Sequence, residues 1–205
     1  MLSNAAHNDA AMSGQLDYDR KEADFYPTPP ENVDCLHLVE PLNGTVWWEP
    51  ACGEGHISKR IMELTGETVF STDLHDRGFG RTGIDFLAMA GTSPNITGII
   101  TNPPYGDLAE EFIRHALEIM ERVEGKVAMF LRNEYDCGKE RRSLFAQHPF
   151  AHKIIVTKRP RWIEGSKGSP RHNYAWYVWD FAHQGGAYIS YVHPEDCLTL
   201  RSPKA

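Results

Sequence analysis

Residues 101–105, with the sequence Thr-Asn-Pro-Pro-Tyr, constrain the fold more strongly than any other stretch of the chain. They follow the apolar run of residues 96–100, which predicts a buried strand. They precede residues 107–123, whose apolar spacing predicts an amphipathic helix. Ligands of an α/β sheet bind beyond the carboxyl ends of its strands. The order of strand, motif and helix therefore predicts an α/β fold with residues 101–105 at the mouth of a binding site.

The four residues after Thr101 combine a polar side chain, a stiff turn and an aromatic ring. Asn102 offers a carbonyl acceptor and an amide donor. Pro104 keeps Pro103 out of the helical region, which points the Pro103 carbonyl outward. These two oxygens could accept both hydrogens of one planar amino group and localise the lone pair on its nitrogen. Tyr105 supplies a flat face on which a base could stack. The alternative is a proline-rich turn that only ends the strand.

A second motif follows the strand predicted over residues 45–48. It reads Glu-Pro-Ala-Cys-Gly-Glu-Gly over residues 49–55 and leads into a helix predicted over residues 57–64. Its glycines, Gly53 and Gly55, permit a tight turn and a close approach of the backbone to a ligand. The motif matches neither the GxGxxG dinucleotide fingerprint nor a P-loop, which requires a Lys-Ser or Lys-Thr pair.

Two acidic residues stand at positions suited to a nucleoside. Asp73 ends the strand predicted over residues 67–71, where a carboxylate can hold ribose hydroxyls; the alternative is a helix cap or a turn aspartate. Asp85 stands beside Phe86, and this pair could accept from a purine amino group and cover the ring. The alternative for that pair is a capped turn with a core phenylalanine. Between them, residues 76–83 are rich in glycine and are predicted to form a mobile loop.

The other predicted elements complete one domain over residues 25–205, after an amino-terminal arm of residues 1–24 that we expect to be disordered. Strands are also predicted over residues 126–131, 152–157, 174–179 and 187–192, and helices over residues 31–40 and 139–145. The strands on either side of the loop of residues 163–173 are predicted to pair as an antiparallel hairpin at the sheet edge.

Cysteine content and hydropathy limit the class of protein. The four cysteines include no CxxC pair, which argues against a zinc site and fits a reducing cytosol. No apolar run reaches membrane-spanning length, and residues 1–24 lack the features of a secretory signal. We therefore expect a cytoplasmic protein with no membrane segment and no bound metal.

The charge is distributed unevenly along a chain whose net charge is −7. Residues 1–125 carry 8 Lys and Arg against 21 Asp and Glu, whereas residues 126–172 carry 11 against 4. A contiguous basic segment inside an acidic chain is typical of a phosphate-binding face. The alternative is a solvated surface without a partner.

The motifs, taken in order, resemble those of S-adenosylmethionine-dependent amino-methyltransferases, and most closely those of DNA adenine-N6 methyltransferases. The resemblance covers roughly residues 25–135 and rests on five segments: residues 25–30 (Phe-Tyr-Pro-Thr-Pro-Pro), 49–55, 73, 85–86 and 102–105. It implies a Rossmann-like class I methyltransferase fold. That fold is a seven-stranded, mostly parallel sheet with helices on both faces and an antiparallel last strand.

The resemblance also implies that the chain binds S-adenosylmethionine and a flipped adenine of DNA, without a metal. The residues that would receive the target base are Asn102, Pro103, Pro104 and Tyr105. The residues that would hold the cofactor are Phe25, Tyr26 and Thr28 at its methionine end, Glu49, Gly53 and Gly55 near the methionine and sulfonium, Asp73 at the ribose, and Asp85 and Phe86 at the adenine. Cys52 and Asn102 are further candidates for cofactor contact.

The chain departs from the family because it leaves little room for a separate target-recognition domain after residue 105. We therefore expect two basic loops, residues 132–142 and 158–173, to recognise the DNA. We expect them to read a short DNA sequence or none. The candidate phosphate contacts are Arg132, Arg159, Arg161, Lys167 and Arg171.

Other functions are compatible with the same residues. The Asn-Pro-Pro-Tyr motif also occurs in methyltransferases that act on RNA bases or on protein glutamine, which likewise present a planar amino group. A non-catalytic subunit with the cofactor fold, which binds nucleic acid or a partner enzyme, is a further alternative. The glycine pattern disfavours a nicotinamide-dependent oxidoreductase.

Overall fold

Strands and helices alternate along most of the chain. The structure is a computed structural model that describes residues 26–162 and 170–201. Its strands are β1 Trp47–Glu49, β2 Phe70–Ser71, β3 Gly98–Thr101, β4 Lys126–Arg132, β5 Phe150–Val156, β6 Tyr174–Asp180 and β7 Tyr188–Val192. Its α-helices are α1 Pro30–Val39, α2 His56–Thr65, α3 Asp107–Glu121 and α4 Arg142–Ala146. The predicted amino-terminal arm, Phe25 and Lys167 lie outside the described residues.

The strands of the described residues form one sheet in the order β2-β1-β3-β4-β6-β5-β7. Six of these strands run in the same direction, and β6 runs against its neighbours β4 and β5. The predicted seven-stranded, mostly parallel sheet is therefore confirmed.

The antiparallel strand is the sixth in the chain, although the last strand was expected to be antiparallel. The predicted hairpin of β5 and β6 forms, but it is not at the sheet edge, because β6 inserts between β4 and β5. The last strand, β7, pairs parallel with β5 and forms the edge. Burial explains the difference: six of the seven residues of β6 are buried, whereas β7 is largely exposed. A strand that is apolar on both faces is favoured inside a sheet.

Side chains of the central strands alternate between two apolar cores, one on each face of the sheet. Met129 of β4 and Tyr177 of β6 belong to the core that includes residues of α3 and α4. Their neighbours Phe130 and Trp176 belong to the core that includes residues of α1 and α2. The predicted helices on both faces of the sheet are therefore confirmed.

Residues 76–83, where a loop was predicted, are held along β2 by backbone hydrogen bonds. The Arg81 N–H donates to the Ser71 carbonyl at 2.9 Å, and the Asp73 N–H donates to the Arg81 carbonyl at 2.9 Å. The Ile84 N–H then donates to the Asp73 carbonyl at 3.1 Å. The chain thus folds back beside the end of β2, next to the site described below.

The turn from β3 into α3 depends on Gly106. Its φ of 78° lies in the region that a residue without a side chain adopts readily. Asp107 and Glu110 then occupy the first turn of α3, where the helix dipole favours negative charge. This connection holds residues 102–105 between the end of a buried strand and the start of a long helix.

Candidate active site

A cavity of about 340 Å³ opens beyond the carboxyl ends of β1, β2 and β3. Its volume falls in the range of about 300–1,000 Å³ that is usual for small-molecule sites. The motif residues are distant in sequence, but the structure brings together in the cavity lining Tyr26, Thr28, Glu49, Cys52, Gly53, Asp73, Asp85, Phe86, Asn102, Pro103, Pro104 and Tyr105.

Asn102 presents an acceptor with no protein partner among the described residues. Its amide nitrogen Nδ2 donates to the backbone carbonyl of Tyr26 at 3.1 Å, which orients the side chain. The other end, Oδ1, is buried and accepts no hydrogen bond from that part of the chain. A buried acceptor without a donor is costly, at about 1–3 kcal/mol. The arrangement therefore suits a ligand that brings an N–H group to this oxygen.

Tyr105 belongs to an aromatic wall beside Asn102. The rings of Tyr105 and Tyr26 meet edge to face, with their centroids 5.0 Å apart. The ring of Trp162 also meets that of Tyr26 edge to face, with a centroid distance of 5.6 Å. The Tyr105 hydroxyl accepts from the hydroxyl of Tyr174 at 3.2 Å. Burial raises the pKa of Tyr105 well above its usual value, Tyr174 adds to this rise, and Asn102 opposes it. Tyr105 is therefore an uncharged, anchored ring.

Asp73 joins the end of β2 to the glycine motif. Its Oδ2 accepts from the Gly53 N–H at 2.8 Å, and its Oδ1 accepts from the His75 N–H at 2.8 Å. Each carboxylate oxygen can accept more than one hydrogen bond. Asp73 therefore shapes the loop and retains capacity to accept from a hydroxyl pair in the cavity.

Glu49 is a buried carboxyl group at the end of β1, with a relative exposure of 1%. It accepts hydrogen bonds from the backbone N–H of Ser58 at 3.0 Å and from the Ser58 hydroxyl. That hydroxyl also lies 2.7 Å from the Ser71 hydroxyl. Burial raises the pKa of Glu49 to about 8, against the opposing hydrogen bonds from Ser58. The carboxyl is therefore largely neutral at neutral pH, and a cation in the cavity would favour its ionised form.

Two members of the glycine motif contribute structure rather than reactivity. Burial raises the pKa of the Cys52 thiol to about 12, and Glu49 and Asp73 add to this rise because both are ionised at the high pH where the thiol titrates. This cysteine is therefore not a nucleophile at neutral pH. Gly55 does not line the cavity. A Cβ at Gly55 would lie 2.2 Å from the ring of Phe79. Gly55 also caps the start of α2, with a φ of 79°.

Asp85 and Phe86 form a capped turn that also lines the cavity. Oδ1 of Asp85 accepts from the Leu87 N–H at 3.0 Å. Phe86 is 1% exposed, and its ring packs on Trp48 at 5.2 Å and on Phe112 at 4.9 Å. The pair therefore forms the capped turn with a core phenylalanine that was the alternative, and its role in holding an adenine ring stays a prediction.

Further residues line the cavity that the sequence did not single out as functional: His56, Leu74, His75, Arg77, Ile84, Leu108 and Phe112. His56 is the first residue of α2, and partial burial lowers its pKa. Its position directly after the glycine motif is the signal that could have identified it. No sequence pattern indicates that His75 and Arg77 line the cavity. Their segment is positioned by the backbone hydrogen bonds between Asp73, Arg81 and Ile84.

Basic residues gather at the same edge of the sheet, beyond the ends of β4 and β5 and the start of β6. The pKa of His172 is lowered by partial burial and by the positive charges of Arg132, Arg171 and Arg159. The charge of Glu134 opposes this lowering of the pKa. Three predicted phosphate contacts therefore lie around one histidine. Arg159 also donates from Nε to the Asn173 side-chain oxygen at 2.9 Å, and its exposed position leaves it open to solvent. Arg161, another predicted phosphate contact, is exposed as well.

Two kinds of feature are absent from the described residues. No helix among them has the length and apolar character needed to cross a membrane. No group of three or more histidine, cysteine, aspartate or glutamate side chains there is placed to hold a metal ion.

Known proteins resemble the chain in structure but not in sequence. No family model and no curated protein matches it. A solved structure from Listeria monocytogenes, assigned as a class I S-adenosylmethionine-dependent methyltransferase, aligns over 97% of this chain and 76% of its own, with 12% identity and a TM-score of 0.59. A methyltransferase subunit of a type I restriction-modification system from Streptococcus thermophilus aligns over 94% of this chain and 53% of its own length, with 13% identity and a TM-score of 0.58.

This chain has the class I methyltransferase fold. A protein from Pyrococcus horikoshii assigned as an RNA methyltransferase shares the fold as well, over 73% of this chain and 82% of its own, with 18% identity and a TM-score of 0.54. The chain spans about half the length of the type I restriction enzyme subunits that it matches, 53% in two of them. At these identities the likeness establishes the architecture, and function has to be argued from the site.

Proposed function

We propose that the chain is an S-adenosylmethionine-dependent methyltransferase that acts on the exocyclic N6 amino group of adenine in DNA. The observation that carries the proposal is the side chain of Asn102, a residue of the cavity lining whose buried Oδ1 has no partner among the described residues. An amino group is a donor that satisfies such an acceptor, and a planar amine offers two hydrogens for this purpose.

The residues around the cavity fit the cofactor. Asp73 offers acceptors for two hydroxyls, Gly53 brings the backbone close, and Phe86 and Asp85 offer an apolar face and an acceptor for an adenine ring. Glu49 is a buried carboxyl whose ionised form a cation would stabilise. When bound, S-adenosylmethionine would supply an electrophilic methyl group on a positively charged sulfur.

The protein's contribution to the reaction is positioning. Asn102 Oδ1 accepts a hydrogen of the target amine, and the amide nitrogen stays on the Tyr26 carbonyl, so the side chain keeps one orientation. Tyr105, uncharged and anchored at its hydroxyl by Tyr174, offers a ring beside that amine. Correct placement of two reactants can remove about 7–11 kcal/mol of a reaction barrier.

The basic cluster around His172, which lies at the same edge of the sheet as the cavity, favours a nucleic acid as the substrate. Phosphate contacts of this kind supply most of the sequence-independent affinity for nucleic acid. DNA is favoured over RNA because several proteins of similar structure are subunits of type I restriction systems. A DNA substrate and the free cysteines both accord with the cytoplasmic location expected from the sequence.

RNA is the second candidate substrate. One of the proteins with the same fold is assigned as an RNA methyltransferase, and it aligns over 82% of its own length. The chemistry of Asn102 is the same for either nucleic acid, because each presents a planar amino group.

The test is methyl transfer from labelled S-adenosylmethionine to unmethylated DNA, to RNA and to a protein mixture, followed by digestion and identification of the product. We expect N6-methyladenine in DNA, lost in the Asn102→Ala variant. Label in RNA or in glutamine would retain the mechanism and overturn the DNA substrate. Cofactor binding without transfer to any of them would indicate a non-catalytic subunit.

A further inference from the structure

Strand β7 forms an open edge of the sheet. Within the described residues, β5 pairs with one side of β7 and no strand pairs with the other. Three large side chains of β7 are exposed: Tyr188 by 62%, Ile189 by 61% and Tyr191 by 70%. An exposed apolar edge strand offers a row of backbone groups to which another strand can pair.

This edge lacks the residues that usually prevent such pairing. Residues 187–193, Ala-Tyr-Ile-Ser-Tyr-Val-His, contain no lysine, arginine, aspartate, glutamate or proline. Natural edge strands are commonly protected by charged side chains or proline. The strand is neutral in a chain whose net charge is −7, so two copies that approach along this edge bring no like charges into contact.

The backbone of β7 shows which groups are free. The Thr157 N–H donates to the Val192 carbonyl at 2.9 Å. Successive residues of a strand direct their backbone groups to opposite sides, so residues 188, 190 and 192 direct theirs toward β5. The groups of Ile189 and Tyr191 therefore point to the open side of the sheet.

We propose that β7 pairs antiparallel with β7 of a second copy of this chain, about a two-fold axis at Ser190. In this register Ile189 lies opposite Tyr191 of the second copy, and both direct their backbone groups across the interface. Each such pair exchanges two N–H to carbonyl hydrogen bonds, and the symmetry gives two pairs. If the two strands were shifted by one residue, the backbone groups of Ile189 and Tyr191 would face residues whose own groups point toward β5. These hydrogen bonds could then not form.

The side chains are self-complementary in the same register. Residues opposite each other in an antiparallel pair project on the same face, so Ile189 and Tyr191 of both copies form one apolar patch of four side chains. Tyr188 lies opposite Val192 on the other face. In the sequence Tyr-Ile-Ser-Tyr-Val every residue except the serine is aromatic or aliphatic, so this register sets an apolar side chain opposite an apolar side chain on both sides of the axis. This match favours a second copy over an unrelated strand. Three strands separate β7 from β3, so both cavities stay open.

The first test measures the mass of the full chain by light scattering after gel filtration. We expect twice the 23.2 kDa of one chain. The double variant Ile189→Lys/Tyr191→Lys should have the mass of one chain with an unchanged circular dichroism spectrum. The control Val46→Lys/Val123→Lys places the same charges on exposed apolar positions elsewhere and should remain a dimer. A wild-type mass of one chain, or a dimer that persists with both lysines in β7, would overturn the proposal.

A cross-link tests the register independently. At the axis the two copies of residue 190 form a non-hydrogen-bonded pair with Cα atoms about 4.5 Å apart, which is within the range of a disulfide. Ser190→Cys, made in a Cys137→Ser background that removes the exposed cysteine, should give a disulfide-linked dimer with oxidised glutathione. In Ile189→Cys, made in the same background, the new cysteine lies opposite Tyr191 of the second copy rather than opposite another cysteine. This variant should not form the disulfide-linked dimer. Equal cross-linking of the two variants, or none in Ser190→Cys, would overturn the register.

Discussion

The Asn102 side-chain amide donates to the backbone carbonyl of Tyr26 at 3.1 Å, across 76 residues of sequence. This bond uses the donor end of the amide and leaves Oδ1 as a buried acceptor in the cavity lining. The segment of residues 26–29 therefore determines the orientation of the residue on which the proposed chemistry depends.

Removing that acceptor should act on the reaction rather than on cofactor binding. We expect Asn102→Ala to lower kcat by about 10²–10³-fold, the usual effect of losing one positioned polar group in an active site. Cofactor affinity, measured by calorimetry, should change much less. Asn95→Ala, an exposed asparagine ahead of the same strand, is the control and should retain full activity. A kcat within twofold of wild type in Asn102→Ala would contradict the proposed role.

Replacing Asp73 should weaken cofactor binding. The Asp73 carboxylate holds the Gly53 and His75 N–H groups and is the proposed ribose acceptor. Hydrogen bonds to a charged group contribute about 1.5–3 kcal/mol each, so Asp73→Ala should raise the dissociation constant by about tenfold or more. Asp76→Ala removes a neighbouring carboxylate that accepts from the Gly78 N–H in a loop, and it should bind as wild type. Calorimetric titration distinguishes the two outcomes.

Glu49 should make stability fall as the pH rises. The folded protein raises the pKa of this carboxyl from 4.5 to about 8, so between these values the folded state binds the proton more tightly than the unfolded state does. The contribution of the neutral carboxyl is complete below about pH 4.5 and is lost as the pH rises through about 8. Glu49→Gln should flatten this part of the profile.

Urea unfolding at a series of pH values measures this effect. The control is Glu111→Gln, which changes an exposed carboxyl of α3 and should leave the profile unchanged. A positively charged cofactor should also release a proton from Glu49 on binding near pH 7, because a nearby cation lowers the pKa of a carboxyl. Proton release that is identical in wild type and Glu49→Gln would contradict this.

The basic cluster should contribute to DNA affinity without regard to sequence. We expect Arg159→Gln/Arg171→Gln to weaken binding about equally for different DNA sequences. The slope of log K against log salt should fall by about one for each phosphate that the variant no longer neutralises. Arg122→Gln, which removes an exposed arginine near the end of α3, is the matched control. Unchanged affinity and slope in the double variant would assign DNA binding to another surface.

Two glycines with the same backbone conformation should differ in their tolerance of a side chain. Gly55 and Gly66 have φ values of 79° and 74°, but a Cβ at Gly55 would overlap the Phe79 ring, whereas nothing lies within 4 Å at Gly66. Alanine at φ above zero costs about 1 kcal/mol in either place. Gly55→Ala should lose more of the free energy of unfolding than Gly66→Ala, since Phe79 must move. Equal losses would show that Phe79 adapts freely.

Local sequence patterns are sufficient to predict the alternation of strands and helices and the positions of the polar motifs at strand ends. Residues 98–101 form a strand and residues 107–121 a helix because the apolar spacing of each is a local property. Since strand ends of a parallel sheet meet at one edge, Glu49, Asp73 and Asn102 could be assigned to one site before their positions in the fold were known.

The pairing of the strands, and the polar groups that lack partners among the described residues, depend on contacts between distant parts of the chain. β6 inserts between β4 and β5, β7 becomes the edge, and residues 76–83 fold back on β2, because backbone groups far apart in sequence compete for the same partners. That competition depends on burial across the whole sheet and leaves no local pattern. For the same reason no local pattern predicts that Oδ1 of Asn102 lacks a partner among the described residues, or that the ring of Phe79 lies over Gly55.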